Sequence, residues 1–92
     1  MNDRRYELKI APTARRQLAE QLLEPVAFAA YDFTVGPLLE DPQRVGRRLR
    51  PPVADRHSTR RGTYRVLYRI DEDHHRVEVV GVFARSDAYR SR

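Results

Sequence analysis

Tyr6-Glu7-Leu8-Lys9-Ile10 alternates apolar and polar residues with period two and is closed by Ala11-Pro12, a pattern that predicts an opening β-strand. Thr13 then stands where a helix N-cap is expected. Ala14, Leu18 and Leu22 recur at every fourth position and place one apolar stripe on a helix of about three turns, with Arg15, Arg16 and Glu20 on its solvent side. Pro25 cannot continue that helix but suits the first turn of another, so Glu24-Pro25 divides two helices. The second carries Val26, Ala27, Phe28, Tyr31, Phe33 and Val35, apolar on nearly every side, and is expected to be mostly buried. Gly36-Pro37 kinks or ends it, Leu38-Leu39-Glu40 adds a last turn, and Asp41-Pro42 stops the helical region.

The second half reads as sheet. Residues 56–60 suit a short strand, and Arg61-Gly62 turns into a longer one over Thr63 to Ile70, with Tyr64, Val66, Tyr68 and Ile70 on one face and Arg65, Leu67 and Arg69 on the other. Asp71 to His75 is a polar hairpin connection. Arg76 to Ala84 follows, with Val77, Val79 and Phe83 assigned to one face and Val80 and Val82 to the other; apolar on both, it belongs inside the sheet. Between helices and strands Pro51-Pro52 is expected to hold the chain extended. The order β-α-α-β-β-β predicts an α+β domain in which two N-terminal helices pack on one face of a small, mainly antiparallel sheet. Ninety-two residues are too few to divide into two cores, so residues 1–92 form one domain.

The charge balance points to a nucleic acid, an acidic protein or both as partners. Charged residues make up 34% of the chain, and Lys+Arg exceed Asp+Glu by 18 − 13 = +5. Lys9 is the only lysine among those 18 cations, so the positive charge is almost all guanidinium, the group suited to bidentate recognition of phosphate or carboxylate. Residues 44–61 concentrate it: Arg44, Arg47, Arg48, Arg50, Arg56, Arg60 and Arg61 stand against the single acid Asp55. Cysteine is absent, which removes disulfides, thiolate catalysis and Cys-based metal sites and points to a reducing cytoplasm. The longest apolar stretch, Val26 to Tyr31, is far short of a membrane span, and no signal-peptide core follows the first residues.

If the helices cover the Tyr64/Val66/Tyr68 face, Arg65 points to the opposite, open face of the sheet. The hairpin brings Arg85 back toward Arg65, Arg60 or Arg61 joins from the preceding strand, and Tyr89 supplies a ring close behind. Guanidinium groups for phosphates and an aromatic for base stacking suit single-stranded nucleic acid. The ordinary readings stand beside this one: Tyr64 and Tyr68 as core, the 44–50 arginines as a solvated basic loop, and His74-His75 as a hairpin tip with no third metal ligand. His57 is the nearby group that titrates close to neutrality, a candidate base or RNA ligand.

The run from Arg60-Arg61-Gly62-Thr63-Tyr64-Arg65 to Asp71, and that from Val79-Val80-Gly81 through Ala84-Arg85-Ser86-Asp87-Ala88-Tyr89, resemble the two C-terminal signatures of the RelE/ParE toxin superfamily. Gly36-Pro37-Leu38-Leu39-Glu40-Asp41-Pro42, with Arg44-Val45-Gly46, is similar to RelE toxins, particularly actinobacterial ones, and the Arg-x-x-x-Tyr spacing from Arg85 to Tyr89 favours RelE. The resemblance covers roughly residues 6 to 90. It implies the RelE-like fold and a type II toxin that enters the ribosomal A site and cleaves mRNA without metal or cofactor. The ribose 2′-hydroxyl attacks the adjacent phosphate, leaving a 2′,3′-cyclic phosphate and a 5′-hydroxyl. By motif position, Arg65 matches the arginine that stabilises the phosphorane-like transition state, Arg85 the one near the leaving oxygen, and Tyr89 the tyrosine that stacks on the nucleotide.

Two departures stand out. Where relatives carry lysines on the strand before the hairpin this chain has Arg56 and Ser58, and where many carry His or Lys before the second arginine it has Ala84. A guanidinium is a poor general base, so that role is unassigned. The implied partners are a cognate antitoxin, the ribosome and its mRNA, with Arg44, Arg47, Arg48, Arg50, Arg56, His57, Arg60 and Arg61 as RNA-binding candidates and operator DNA reached through the antitoxin. Two other readings remain open: a ParE-type inhibitor of DNA gyrase, and a non-catalytic module that binds ribosome or antitoxin.

Overall fold

A computed structural model describes residues 5–52 and 54–84. The helices lie against one face of a five-stranded sheet of order β1-β5-β4-β3-β2, formed by β1 (Glu7–Ile10), β2 (Arg47–Arg48), β3 (His57–Arg61), β4 (Tyr64–Asp71) and β5 (Arg76–Ala84). Among the described residues β1 and β5 pair in parallel, and the pairings β2 with β3, β3 with β4 and β4 with β5 are antiparallel. The α+β class, the single helical layer and the interior place of β5 agree with the apolar pattern of the chain. None of the described helices is long and apolar enough to cross a membrane.

Helix α1 (Pro12–Arg16) runs on into a π-helical turn at Gln17–Gln21. Its N-cap is Ala11, not Thr13: Pro12 fills the first helical position, where its missing N–H costs nothing, and the helix therefore starts one residue before Thr13. Helix α2 (Glu24–Val35) carries Pro25 in its first turn as expected, but buries only Ala30, Phe33 and Thr34. Phe28 and Tyr31 are exposed, contrary to the expectation of a mostly buried helix, because helices pack on one side of the sheet and α2 has no second layer to cover its outer face. Single turns α3 (Pro37–Glu40) and α4 (Pro42–Val45) come next, so Asp41-Pro42 does not end the helical region but restarts it.

Tyr64, Val66 and Tyr68 of β4 are buried together with Val77, Val79 and Val82 of β5 against Ala14, Ala30, Phe33 and Leu38. This core explains why the Arg65 side of β4 is left to solvent. In β5 the alternation does not run through: Leu67 pairs with Gly81 and Tyr68 with Val79, so Val80 is an extra residue, a β-bulge. The bulge reverses the phase of the strand beyond it. Val82, not Phe83, joins Val77 and Val79 in the core, and Phe83 moves to the open face. The buried Gln17 side chain accepts a hydrogen bond from the Val82 N–H at 2.7 Å, so the π-helical turn satisfies a backbone donor just past the bulge.

Pro51-Pro52 does not keep the chain extended. It lies in a turn between β2 and β3, closed by the Leu49 N–H donating to the Arg56 carbonyl at 2.9 Å.

Candidate nucleic-acid interface

Strand pairing places Arg60 directly opposite Arg65, and Arg65 directly opposite Phe83. Opposed residues of neighbouring strands share a face, so two guanidinium groups and a phenyl ring form one row across β3, β4 and β5 on the open side of the sheet. Like charges in this relation destabilise a sheet. Among the described residues no carboxylate forms an ion pair with Arg60 or Arg65, whereas Arg69, further along β4, is bonded to Glu78 and lies 3.7 Å from Asp55. Arg76 likewise reaches Glu7 at 3.4 Å. That end of the face therefore carries excess positive charge among the described residues.

That end opens into a groove of about 560 Å³ lined by Arg44, Arg47, Arg60, Arg61 and Arg65 together with Ser58 and Thr59. Strand β2 stops after pairing Arg47 with Ser58 and Arg48 with His57, which leaves the rest of β3 without a strand neighbour on that side. The wall carrying Arg44 is pinned by core residues. Tyr68 donates its hydroxyl to the Pro42 carbonyl at 2.7 Å, and Thr59 donates to the Val45 carbonyl at 2.7 Å. Gly46 permits the approach, since a side chain there would overlap the Tyr68 hydroxyl. Burial raises the Tyr68 pKa to about 12, so this phenol stays protonated and keeps donating. Arg44 makes only a loose contact with Asp41, at 3.8 Å.

The groove gathers some of the expected residues and separates others. Arg44, Arg47, Arg60, Arg61 and Arg65 line it; Arg48, Arg50, Arg56 and His57 do not. Arg60 and Arg61 are not interchangeable: Arg61 opposes Tyr64 on the helix side, with its guanidinium 4.6 Å from the Phe33 ring centre, so it reaches the groove from the edge rather than from the open face. His57 opposes Tyr68, also on the helix side, and stacks on its ring at 5.5 Å. Burial, aided by the nearby Arg48 charge, lowers the His57 pKa and favours a neutral imidazole, but on the sheet face opposite to Arg65. Arg85 and Tyr89 lie outside the described residues. In the hairpin, His74 bonds the Asp71 carboxylate at 2.7 Å and His75 stacks on Tyr6 at 3.8 Å, roles that belong to the turn.

Phe83 is the open-face residue that the alternation concealed. The available signal was Gly81, because an isolated glycine within a strand often marks a bulge.

This chain is similar to known toxins over most of its length. It is 46% identical over 89 residues to Toxin RelE of Mycobacterium tuberculosis, covering 97% of this chain and 91% of the relative. With Toxin RelG of the same organism it shares 44% identity over 85 residues, 92% of this chain and 97% of the other. Among solved structures it is similar to a chain of the RelBE2 toxin–antitoxin complex of M. tuberculosis, with a TM-score of 0.84 and 42% identity over 88% of this chain and 99% of that one. No protein-family model matches.

Proposed function

The chain belongs to the RelE family of toxins, and on that footing we propose that it is a ribosome-dependent endoribonuclease that cleaves mRNA in the A site. The whole 92-residue chain acts as one domain in the cytoplasm, held in check by a cognate antitoxin, as the toxin–antitoxin complex containing its 42% identical structural relative suggests. An acidic or amphipathic antitoxin segment laid along the groove would block RNA, and operator DNA would be read by the antitoxin.

The observation that carries this reading is the Arg60–Arg65 pair, opposed across two strands with no carboxylate between them among the described residues. Attack of a 2′-hydroxyl on the adjacent phosphate adds charge to the non-bridging oxygens, and fixed, permanently charged donors are the groups that stabilise it. Arg65 takes this role. Arg60, Arg44 and Arg47 hold the neighbouring phosphates, Arg85 serves the departing 5′-oxygen, and Tyr89 orients the nucleotide. The described lining of the groove holds no side chain that titrates near neutrality. Rate enhancement therefore rests on charge stabilisation and on alignment of the 2′-hydroxyl by the ribosome, which makes naked RNA a poor substrate.

The test is primer extension on mRNA in purified ribosomes with an empty A site. New 5′ ends at the A-site codon, with a 2′,3′-cyclic phosphate on the upstream fragment and none on naked RNA or with Arg65→Ala, are expected. Ribosome binding without cleavage would reduce the protein to a binding module. Neither binding nor cleavage, with gyrase-dependent DNA breaks instead, would place it with the gyrase inhibitors.

A further inference from the structure

We propose that Phe83 is a nucleobase-stacking surface that receives the base attached to the phosphate held by Arg60 and Arg65. This rests on the RNA-cleaving reading and adds to it a residue that touches the substrate at a defined place.

Three observations carry it. Phe83 is 39% exposed on the open face, where its strand partner is Arg65 and the next residue in the row is Arg60. Neighbouring strands lie about 5 Å apart, so a phosphate seated between the two guanidinium groups leaves its sugar and base to reach the next strand, where the ring stands. The ring is also held in place. Its Cε2 and Cζ atoms come within 2.8 and 3.0 Å of where a Cβ on Gly81 would lie, so it occupies the space that glycine leaves empty.

The bulge makes this arrangement. Without the extra Val80, the phase of β5 would bury position 83 and expose 82, exchanging one apolar core residue for another and leaving no ring beside Arg65. One face of the ring packs over Gly81, and the remainder is open beside Arg65, which has no ion-pair partner among the described residues. An aromatic face beside phosphate-binding guanidinium groups is the combination that binds single strands, and stacking tolerates any base while favouring purines through their larger rings.

The experiment measures binding of a short oligoribonucleotide at low salt by anisotropy, with a 2-aminopurine in its sequence to report stacking by fluorescence quenching. Wild type, Phe83→Leu, Phe83→Tyr and Arg65→Ala are compared after thermal melts establish that each is folded. Phe83→Leu is expected to weaken binding roughly 5- to 150-fold and to abolish the quenching, while Phe83→Tyr retains both. Arg65→Ala should weaken binding to purine and pyrimidine strands alike. Phe83→Leu binding and quenching like wild type, while Arg65→Ala fails, would overturn the stacking role and leave the RNA reading standing. Undiminished binding by Arg65→Ala, or none by wild type, would overturn both.

Discussion

Arg65 and Arg69 stand on the same face of the same strand, both exposed, yet their surroundings are opposite. Arg69 is bonded to Glu78 and approached by Asp55, and these partners raise its pKa further. Arg65 sits between Arg60 and Phe83. One end of the sheet face is a neutralised surface that serves the fold, and the other keeps an electrostatic tension that the fold alone does not need. Exposed ion pairs contribute little stability, generally below about 1 kcal/mol, so the Arg69 end gains only modestly from its order. The tension at the Arg65 end has a similar size and the opposite sign, small enough for the core to carry. What separates the two arginines is the neighbour across the strand, not exposure, and the proposed catalytic role of Arg65 rests on that difference.

Giving Arg65 the carboxylate that Arg69 already has should erase the difference. Arg60→Glu is expected to lower RNA affinity on the order of 10- to 100-fold while raising stability by up to about 1 kcal/mol, read by anisotropy and urea unfolding. A loss of both would mark Arg60 as a fold residue. Salt sharpens the same contrast. If the groove engages about three to five phosphates, affinity for single strands falls roughly 20- to 130-fold between 50 and 200 mM salt, whereas thermal stability changes little.

Tyr68→Phe tests how the basic wall is held. Leaving the Pro42 carbonyl without its donor should cost about 1 to 3 kcal/mol in urea unfolding and weaken RNA binding through displacement of Arg44. The smallest effect expected is a pH dependence of stability from His57. Its folded pKa lies below the ordinary 6.5, so the unfolded chain binds the proton more readily. The contribution is fully present above pH 6.5 and is lost as pH falls from there through the folded pKa. His57→Gln should flatten the melting temperature between pH 7.5 and 5.5 relative to wild type, leaving RNA affinity at pH 7.5 within about twofold.

The alternation of Tyr64, Val66 and Tyr68 was enough to orient β4 and to put Arg65 on the open face, because a strand with one large apolar face has a single stable orientation toward its helices. Position 83 could not be oriented in the same way, since a bulge changes phase by one residue without changing composition, and Val80 and Val82 are equally apolar. Arg60 and Arg61 are adjacent and alike in sequence; only the pairing register shows that one opposes Arg65 and the other Tyr64. His57 looked close to the chemistry because it is close in sequence, and strand parity places it on the far side. The wall formed by α4 escaped the pattern altogether, as a single helical turn held by Tyr68 and Thr59 has too few residues to show periodicity.

The most direct measurement sets Arg65→Ala against Arg69→Ala in the ribosome cleavage assay, with thermal melts of both. Arg65, without an ion-pair partner among the described residues, is predicted to be needed for cleavage, its loss slowing the reaction by about 100- to 1,000-fold at unchanged stability, and the paired Arg69 dispensable within about twofold. Equal loss from the two variants, or greater loss from Arg69→Ala, would contradict the assignment of the unbalanced end as the catalytic face.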